Sequence, residues 1–141
     1  MDSTEWVDLP VEQILTDVGL GAQGPPFPQV FVAVSPDALS NAVSDALSLG
    51  LEVPGSGVGT YLGACMGVKP SGGFSVAIES ARRKGNQVTI HLALQDLGRN
   101  EIAFQAMTSP FTVAVIRDLD PREKAFSFVA ELDWEVVHVG G

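Results

Sequence analysis

The stretch Val68-Lys69-Pro70-Ser71-Gly72-Gly73-Phe74-Ser75-Val76-Ala77-Ile78 joins a glycine turn directly to an alternating apolar pattern. The paired glycines permit a tight turn, and the apolar residues at positions 74, 76 and 78 would share one face of a β-strand. A turn of this kind can hold a lysine, a hydroxyl and bare backbone N–H groups at one edge of a sheet. The segment therefore predicts a sheet with a polar rim.

A second alternating segment follows and predicts a hairpin. Its apolar positions are Val88, Ile90, Leu92 and Leu94. A two-residue Lys84-Gly85 loop would turn the two apolar sets to opposite faces, whereas a three-residue loop, Arg83-Lys84-Gly85, sends both to the same core. The three-residue loop also puts Gly85 at the left-handed position of a type I turn with a bulge. We therefore predict that Arg82 pairs with Asn86, Ile78 with Ile90, and Val76 with Leu92.

One helix is predicted at about residues 36–49. Ser35 supplies an N-cap oxygen, Pro36 fits the first turn, and Asp37 favours the positive end of the helix dipole. Gly50 is a natural stop for this helix. Its apolar stripe has helical spacing: Leu39, Ala42, Val43, Ala46 and Leu47.

The remaining elements are mostly strands. Residues 30–34 read as a strand covered on both faces, and residues 58–66, 102–107 and 111–117 as further strands. Residues 126–136 form one long strand, or two joined by a bulge near Asp133. Residues 11–18 fit a helix and a strand equally well. The predicted fold is a single α+β domain, with a mostly antiparallel, twisted sheet that forms a sandwich or a partly closed barrel.

Composition limits the classes of partner. The 141 residues carry a net charge of −9 (8 Lys+Arg against 17 Asp+Glu), and no basic stripe is present, which argues against binding nucleic acid. No apolar run approaches the length of a membrane span. The acidic start, residues 1–6, has no apolar signal region. We therefore expect the chain as given to be cytoplasmic, or to be a mature fragment of a longer exported precursor. The sequence does not predict an oligomeric state.

The chemistry-bearing residues do not form a catalytic pattern. His91 and His138 have no neighbour at ligand or triad spacing, Cys65 has no basic neighbour, and Ser71 precedes a strand where a nucleophile elbow would need a helix. The G-x-G-x-x-G run at 19–24 is followed by three prolines, which forbid the helix that a dinucleotide site requires. We expect no enzyme activity, no cofactor and no metal.

The turn Lys69-Pro70-Ser71-Gly72-Gly73 therefore stands as the candidate site. Successive glycines can direct N–H groups at one anion, such as a carboxylate or a backbone carbonyl. The turn is then a docking site for a partner protein, a site for a small anionic ligand, or a plain tight turn. A protease inhibitor, in which a loop enters a protease cleft, is a third hypothesis for function.

These residues also carry a family resemblance. The stretch Gly67-Val68-Lys69-Pro70-Ser71-Gly72-Gly73-Phe74-Ser75-Val76 resembles the G-x-[KR]-P-[ST]-G-G-[YF]-x-[VI] signature of PrcB-type domains, which are bacterial accessory subunits of protease complexes. Thr108-Ser109-Pro110-Phe111 is similar to a second landmark of the family, T-x-P-[YF]. Phe74 stands where tyrosine is common, and the export or lipoprotein signal usual in the family is not seen.

The resemblance implies a non-catalytic, β-rich domain that stabilises or assists another protein, without a cofactor. It also implies a strand at residues 11–18. On this basis we predict a contact rim, called the rim below, that consists of Lys69, Ser71, Gly72, Gly73 and Phe74, with Thr108 and Pro110 beside it.

Overall fold

A computed structural model of the chain describes residues 5–17, 19, 24–69, 74–96, 108–120 and 126–139. These residues form nine strands and one helix. The elements are β1 Val7–Leu9, β2 Glu12–Asp17, β3 Gln29–Ala33, α1 Pro36–Leu47, β4 Thr60–Cys65, β5 Phe74–Lys84, β6 Gln87–Asp96, β7 Phe111–Ile116, β8 Ser127–Ala130 and β9 Glu135–His138. The candidate strand at 102–107 lies outside the described residues.

The strands form two sheets. The first sheet has the order β1-β5-β6-β8, and the second has the order β2-β7-β4-β3-β9. All neighbouring strands are antiparallel except the pairs β3–β9 and β6–β8, which are parallel. The chain passes from the first sheet to the second three times: at Pro10 between β1 and β2, between β6 and β7, and between β8 and β9. The predicted α+β fold is confirmed in its sandwich form, since the described strands do not close into a barrel.

A buried apolar core joins the two sheets. Its members alternate along the strands with residues that face the other way, as a pleated strand requires. The core includes Val30, Val32, Leu62, Val76, Ile78, Val88, Ile90 and Ile116. A second core lies between the outer face of the second sheet and α1, and it includes Phe31, Leu39, Val43, Leu47, Tyr61 and Val113. The second sheet is therefore covered on both faces at its centre, which confirms the two-sided burial predicted for residues 30–33. The predicted strand is one residue too long, since β3 ends at Ala33 and Val34 is 37% exposed.

Helix α1 begins as predicted and ends earlier. The Ser35 hydroxyl accepts a hydrogen bond from the Ala38 N–H at 3.1 Å, so it caps the helix. The predicted stop at Gly50 is wrong. Ser48 takes the left-handed conformation, with φ at 56°, and its N–H bonds to the Ser44 carbonyl, which ends α1 at Leu47.

The predicted hairpin register is wrong. The loop has two residues, Gly85 and Asn86, and Ile78 pairs with Leu92 rather than with Ile90. A bulge between Ile78 and Ser80 supplies the reason. One extra residue reverses the face of the sheet to which the following side chains point. A two-residue loop therefore still directs both sets of apolar side chains to the core. The predicted positive φ of Gly85 is confirmed at 61°.

The ambiguous segments resolve as strands. Residues 12–17 form β2 at the edge of the second sheet, paired antiparallel with β7. The segment 126–136 is two strands, but they belong to different sheets, so the bulge predicted near Asp133 is instead a change of sheet through a bend at 131–133. The part of the chain that the structure describes contains no helix long and apolar enough to cross a membrane.

Candidate functional site

The two landmark segments of the sequence meet in the structure. The Lys69 N–H donates to the Thr108 carbonyl at 2.7 Å, and the Thr108 N–H donates to the Lys69 carbonyl at 2.9 Å. The Met66 N–H also donates to the Pro110 carbonyl at 2.8 Å. These bonds continue the antiparallel pairing of β4 with β7 beyond the ends of both strands. The second sheet therefore holds Lys69 and Thr108 in a fixed relation.

Lys69 also contacts the first residue of β5. Its Nζ lies 5.3 Å from the centre of the Phe74 ring, within the range of a cation–π interaction. Both residues are half-buried, and Phe74 packs against the core between the sheets. Residues 70–73, which include the predicted rim residues Ser71, Gly72 and Gly73, lie outside the described residues. The positions that flank this turn are thus fixed, one on each sheet.

Thr108 and Pro110 lie beneath the surface. Thr108, Ser109 and Pro110 are all buried, and Thr108 and Ser109 have no exposed surface. The main chain of Thr108 forms hydrogen bonds with Lys69, and the Pro110 carbonyl accepts one from Met66. Within the rim, Lys69 and Phe74 are therefore the described residues that offer side-chain surface to a partner.

Sequence reasoning missed a close backbone contact behind the rim. The Ser109 N–H donates to the Gly19 carbonyl at 3.2 Å, and the Gly19 N–H donates to the Asp17 carboxylate at 2.9 Å. A Cβ atom on Gly19 would lie 2.1 Å from the Ser109 carbonyl oxygen, and Gly19 has a φ of +64°. Only glycine satisfies both conditions. The glycine-rich composition around Gly19 was the available signal, but it did not reveal the distant partner.

The histidines lie away from the rim. His91 is on the outer face of the first sheet, where its Nε2 is 3.3 Å from the Glu79 carboxylate and its Nδ1 contacts Glu131. The His138 ring lies 5.9 Å from the Phe128 ring. Within the described part of the chain, neither imidazole contacts a hydroxyl or a thiol. The arrangement places His91 between two exposed carboxylates, those of Glu79 and Glu131.

Cys65 is buried between the second sheet and α1. Burial raises the pKa of its thiol from 9.0 to about 12, because the thiolate would lose its hydration. The nucleophilic form of a cysteine is the thiolate, so this side chain is inert at neutral pH. Among the residues that the structure describes, no group of three or more His, Cys, Asp or Glu side chains could hold a metal ion.

The elements that carry the rim can be compared with known families. Residues 60–117 match the family model of the PrcB C-terminal domain. The PrcB match covers under half of the chain, from β4 to the end of β7, and it includes Lys69, Phe74 and Thr108. It confirms the family resemblance predicted from the glycine turn. No curated protein and no solved structure matches the chain.

Proposed function

We propose that this chain is a non-catalytic accessory module that binds another protein through the rim and thereby stabilises or assists it. The observation that supports this proposal is the pair of hydrogen bonds between Lys69 and Thr108, at 2.7 and 2.9 Å. They unite both landmarks of the PrcB match on one ladder. The main chain of Lys69, held in this way, has little conformational freedom to lose when a partner binds.

The chemistry of the rim suits a protein partner. Phe74 offers a half-buried aromatic ring, and Lys69 offers a cation whose Nζ lies 5.3 Å from the ring centre. Aromatic side chains that are anchored in this way dominate many protein interfaces. A partner that binds the folded chain shifts both folding equilibria by mass action, which is how an accessory subunit stabilises another protein. The PrcB resemblance favours a protease complex as the class of partner.

The test is capture of a partner by immobilised chain from a lysate of the source cell, followed by mass spectrometry. Lys69→Glu reverses the charge at the rim, and Lys84→Glu is its matched control. Lys84 also lies over an aromatic ring, 5.8 Å from the centre of Trp6, but at the opposite end of β5. We expect Lys69→Glu to reduce capture at least about tenfold and Lys84→Glu to leave it unchanged. Equal capture by both variants would contradict the proposal.

Two other functions use the same part of the molecule and are distinguished by simple measurements. A small-anion site would give the wild-type chain a higher melting temperature in phosphate or sulfate, and Lys69→Ala would abolish that increase. A protease inhibitor would reduce the activity of a general protease when the chain is in excess. We expect neither effect.

A further inference from the structure

Three consecutive cations, Arg82, Arg83 and Lys84, end strand β5 beside the hairpin loop. Each of them lies over an aromatic ring. Arg82 Cζ and Lys84 Nζ lie 5.2 and 5.8 Å from the centre of the Trp6 ring. Arg83 Cζ lies 5.4 Å from the centre of the Phe126 ring. These five residues are called the tip patch below.

No carboxylate forms an ion pair with the tip patch within the described part of the chain. Asp8 is the cross-strand neighbour of Arg82, yet the two side chains form no ion pair. Arg117 shows the contrast, because its guanidinium pairs with the Glu12 carboxylate at 3.1 Å. Acids outnumber bases by 17 to 8 in the chain, so carboxylates are not scarce. Three positive charges therefore remain available to a ligand.

The hydrogen-bond donors of the tip patch are also available. The side chains of Arg82, Arg83 and Lys84 donate no hydrogen bond to another described residue. An arginine offers five N–H donors in a planar fork that matches a carboxylate, and a lysine offers three. Contact with the rings limits the rotamers of these long side chains, so less freedom is lost when an anion binds. The arrangement suits a ligand that carries carboxylates.

The tip patch is accessible from solvent. Arg82 and Lys84 are exposed, and Trp6 is 41% exposed although it is a large aromatic residue. Tryptophan and arginine are enriched among the residues that dominate the energetics of protein interfaces. A ligand that combines carboxylates with an aromatic or aliphatic side chain would contact both the cations and the Trp6 ring.

The net charge of the chain, −9, discriminates between anionic ligands. An anionic membrane or a nucleic acid is an extended polyanion, so it would face the acidic remainder of the surface as well as the tip patch. A short acidic segment responds mainly to charges within one Debye length, about 8 Å at physiological salt. Such a segment is attracted by the three cations and avoids most of the repulsion.

We propose that the tip patch binds an acidic segment of a partner protein, in which aspartates or glutamates flank an aromatic or aliphatic residue. This site is separate from the rim. Phe74 and Lys84 are the two ends of an eleven-residue strand, so the sites lie about 30 Å apart. An interface of about 800 Å² centred on the rim would extend only about 16 Å from its centre. The inference therefore goes beyond the proposed function and does not depend on it.

The experiment uses two defined peptides as probes, both acetylated at the N-terminus and amidated at the C-terminus. The acidic probe is Glu-Asp-Phe-Glu-Asp-Leu-Glu, and its matched control is Gln-Asn-Phe-Gln-Asn-Leu-Gln, which keeps the shape and loses the charges. Each is titrated into ¹⁵N-labelled full chain at low ionic strength, and amide and indole chemical shifts are followed. We expect shifts concentrated at Trp6 and residues 82–84, and at least about tenfold weaker binding of the uncharged peptide.

Variants test the charge of the tip patch. Arg82→Glu and Lys84→Glu each reverse one exposed charge, so the fold should tolerate them and the melting temperature should change little. We expect each to weaken binding of the acidic peptide at least about tenfold, and we expect a smaller loss for Lys84→Gln. Lys69→Glu is the matched control at the other end of β5 and should leave peptide binding unchanged. Equal binding of the two peptides, shifts centred away from the tip patch, an equal loss in Lys69→Glu, or no binding would overturn the proposal.

Other anionic ligands are tested in the same way. Vesicles of phosphatidylcholine with about 30% phosphatidylserine, and a single-stranded oligothymidylate, replace the peptides in turn. We expect both to bind more weakly than the acidic peptide, because each would also meet the acidic remainder of the surface. Tighter binding of the vesicles or of the oligothymidylate, lost in Lys84→Glu, would overturn the proposal in favour of a membrane or a nucleic acid.

Discussion

The two sheets of this protein differ in how much of their surface is covered. The second sheet is buried on both faces, by α1 on one side and by the first sheet on the other. The first sheet is buried on its inner face only, and its outer face carries polar residues such as Arg82, Thr89 and His91. Two described residues of the rim flank the connection between the sheets, since Lys69 follows β4 and Phe74 begins β5.

The difference suggests a division of roles. A sheet that is packed on both sides has few alternative arrangements, because protein interiors are close-packed. It can therefore hold Lys69 and Thr108 in fixed positions. Among the described residues, no layer covers the outer face of the first sheet, so side chains such as Arg82 and His91 stay at least partly exposed there.

The largest contrast should appear when a side chain is enlarged in each sheet. A Cβ atom on Gly63 would lie 3.0 Å from Val43 Cγ2 and 3.2 Å from Leu39 Cδ1, so Gly63→Val would overpack the contact between α1 and the second sheet. We expect a loss of about 2–3 kcal/mol in the free energy of unfolding, measured with urea. Ala77→Val, on the outer face of the first sheet, should change it by about 0.5 kcal/mol or less. Equal losses would refute the comparison.

Amide hydrogen exchange should show a smaller contrast within the native state. Amides of β4 and β7, such as those of Leu62 and Val113, lie at the centre of the second sheet. The amides of Val7 and Asp8 lie in β1, the three-residue strand at the edge of the first sheet. We expect their protection factors to be at least about tenfold lower, because local opening there breaks fewer contacts. Similar protection in both groups would show that β1 opens no more readily than the centre of the second sheet.

The two lysine–aromatic contacts at the ends of β5 should contribute little to stability. Lys69 lies over Phe74 and Lys84 over Trp6, at 5.3 and 5.8 Å from the ring centres. We expect Lys69→Met and Lys84→Met each to lose less than about 1 kcal/mol of unfolding free energy. If so, a loss of partner binding in a Lys69 variant would reflect the lost contact with the partner, because the fold would be intact. A much larger loss for Lys69→Met would mean that the lysine is needed for folding.

The smallest expected effect concerns Cys65, whose thiol should not react with a thiol reagent in the folded protein. At pH 8 the Cys65 thiol should not react with a thiol reagent such as DTNB, since burial raises its pKa to about 12 and excludes the reagent. Ser75→Cys, in the half-buried part of the hairpin beside a surface cleft, should react in the folded protein. Rapid modification of Cys65 in native wild-type protein would show that the second sheet opens readily.

Local signals in the sequence predicted much of the fold. Three features follow from neighbouring residues and were confirmed: the N-cap at Ser35, the two-sided burial of residues 30–33, and the alternation of β5 and β6. The hairpin register was not predictable in this way, because the bulge at Glu79 leaves the apolar pattern of each strand intact while changing their alignment. The transfer of the chain between sheets at Pro10 depends on contacts between distant strands.

The candidate site was predicted only in part, because some of its features follow from neighbouring residues and others from contacts between distant segments. The family signature is local, and the family match at residues 60–117 confirmed the resemblance. The turn itself, at residues 70–73, lies outside the described residues. The pairing of Lys69 with Thr108 was only suggested, since no local pattern links positions so far apart. The dependence of Ser109 on Gly19 was missed, because the steric conflict arises only when the two segments are in contact.

The most direct test of the account is the hydrogen-exchange footprint of the captured partner on this chain. We predict that binding slows exchange at Lys69, Phe74 and Thr108, and leaves exchange unchanged at His91 and Val129, whose side chains lie on the outer face of the first sheet. A footprint confined to that outer face or to α1, with exchange at Lys69 and Phe74 unaltered, would contradict the account.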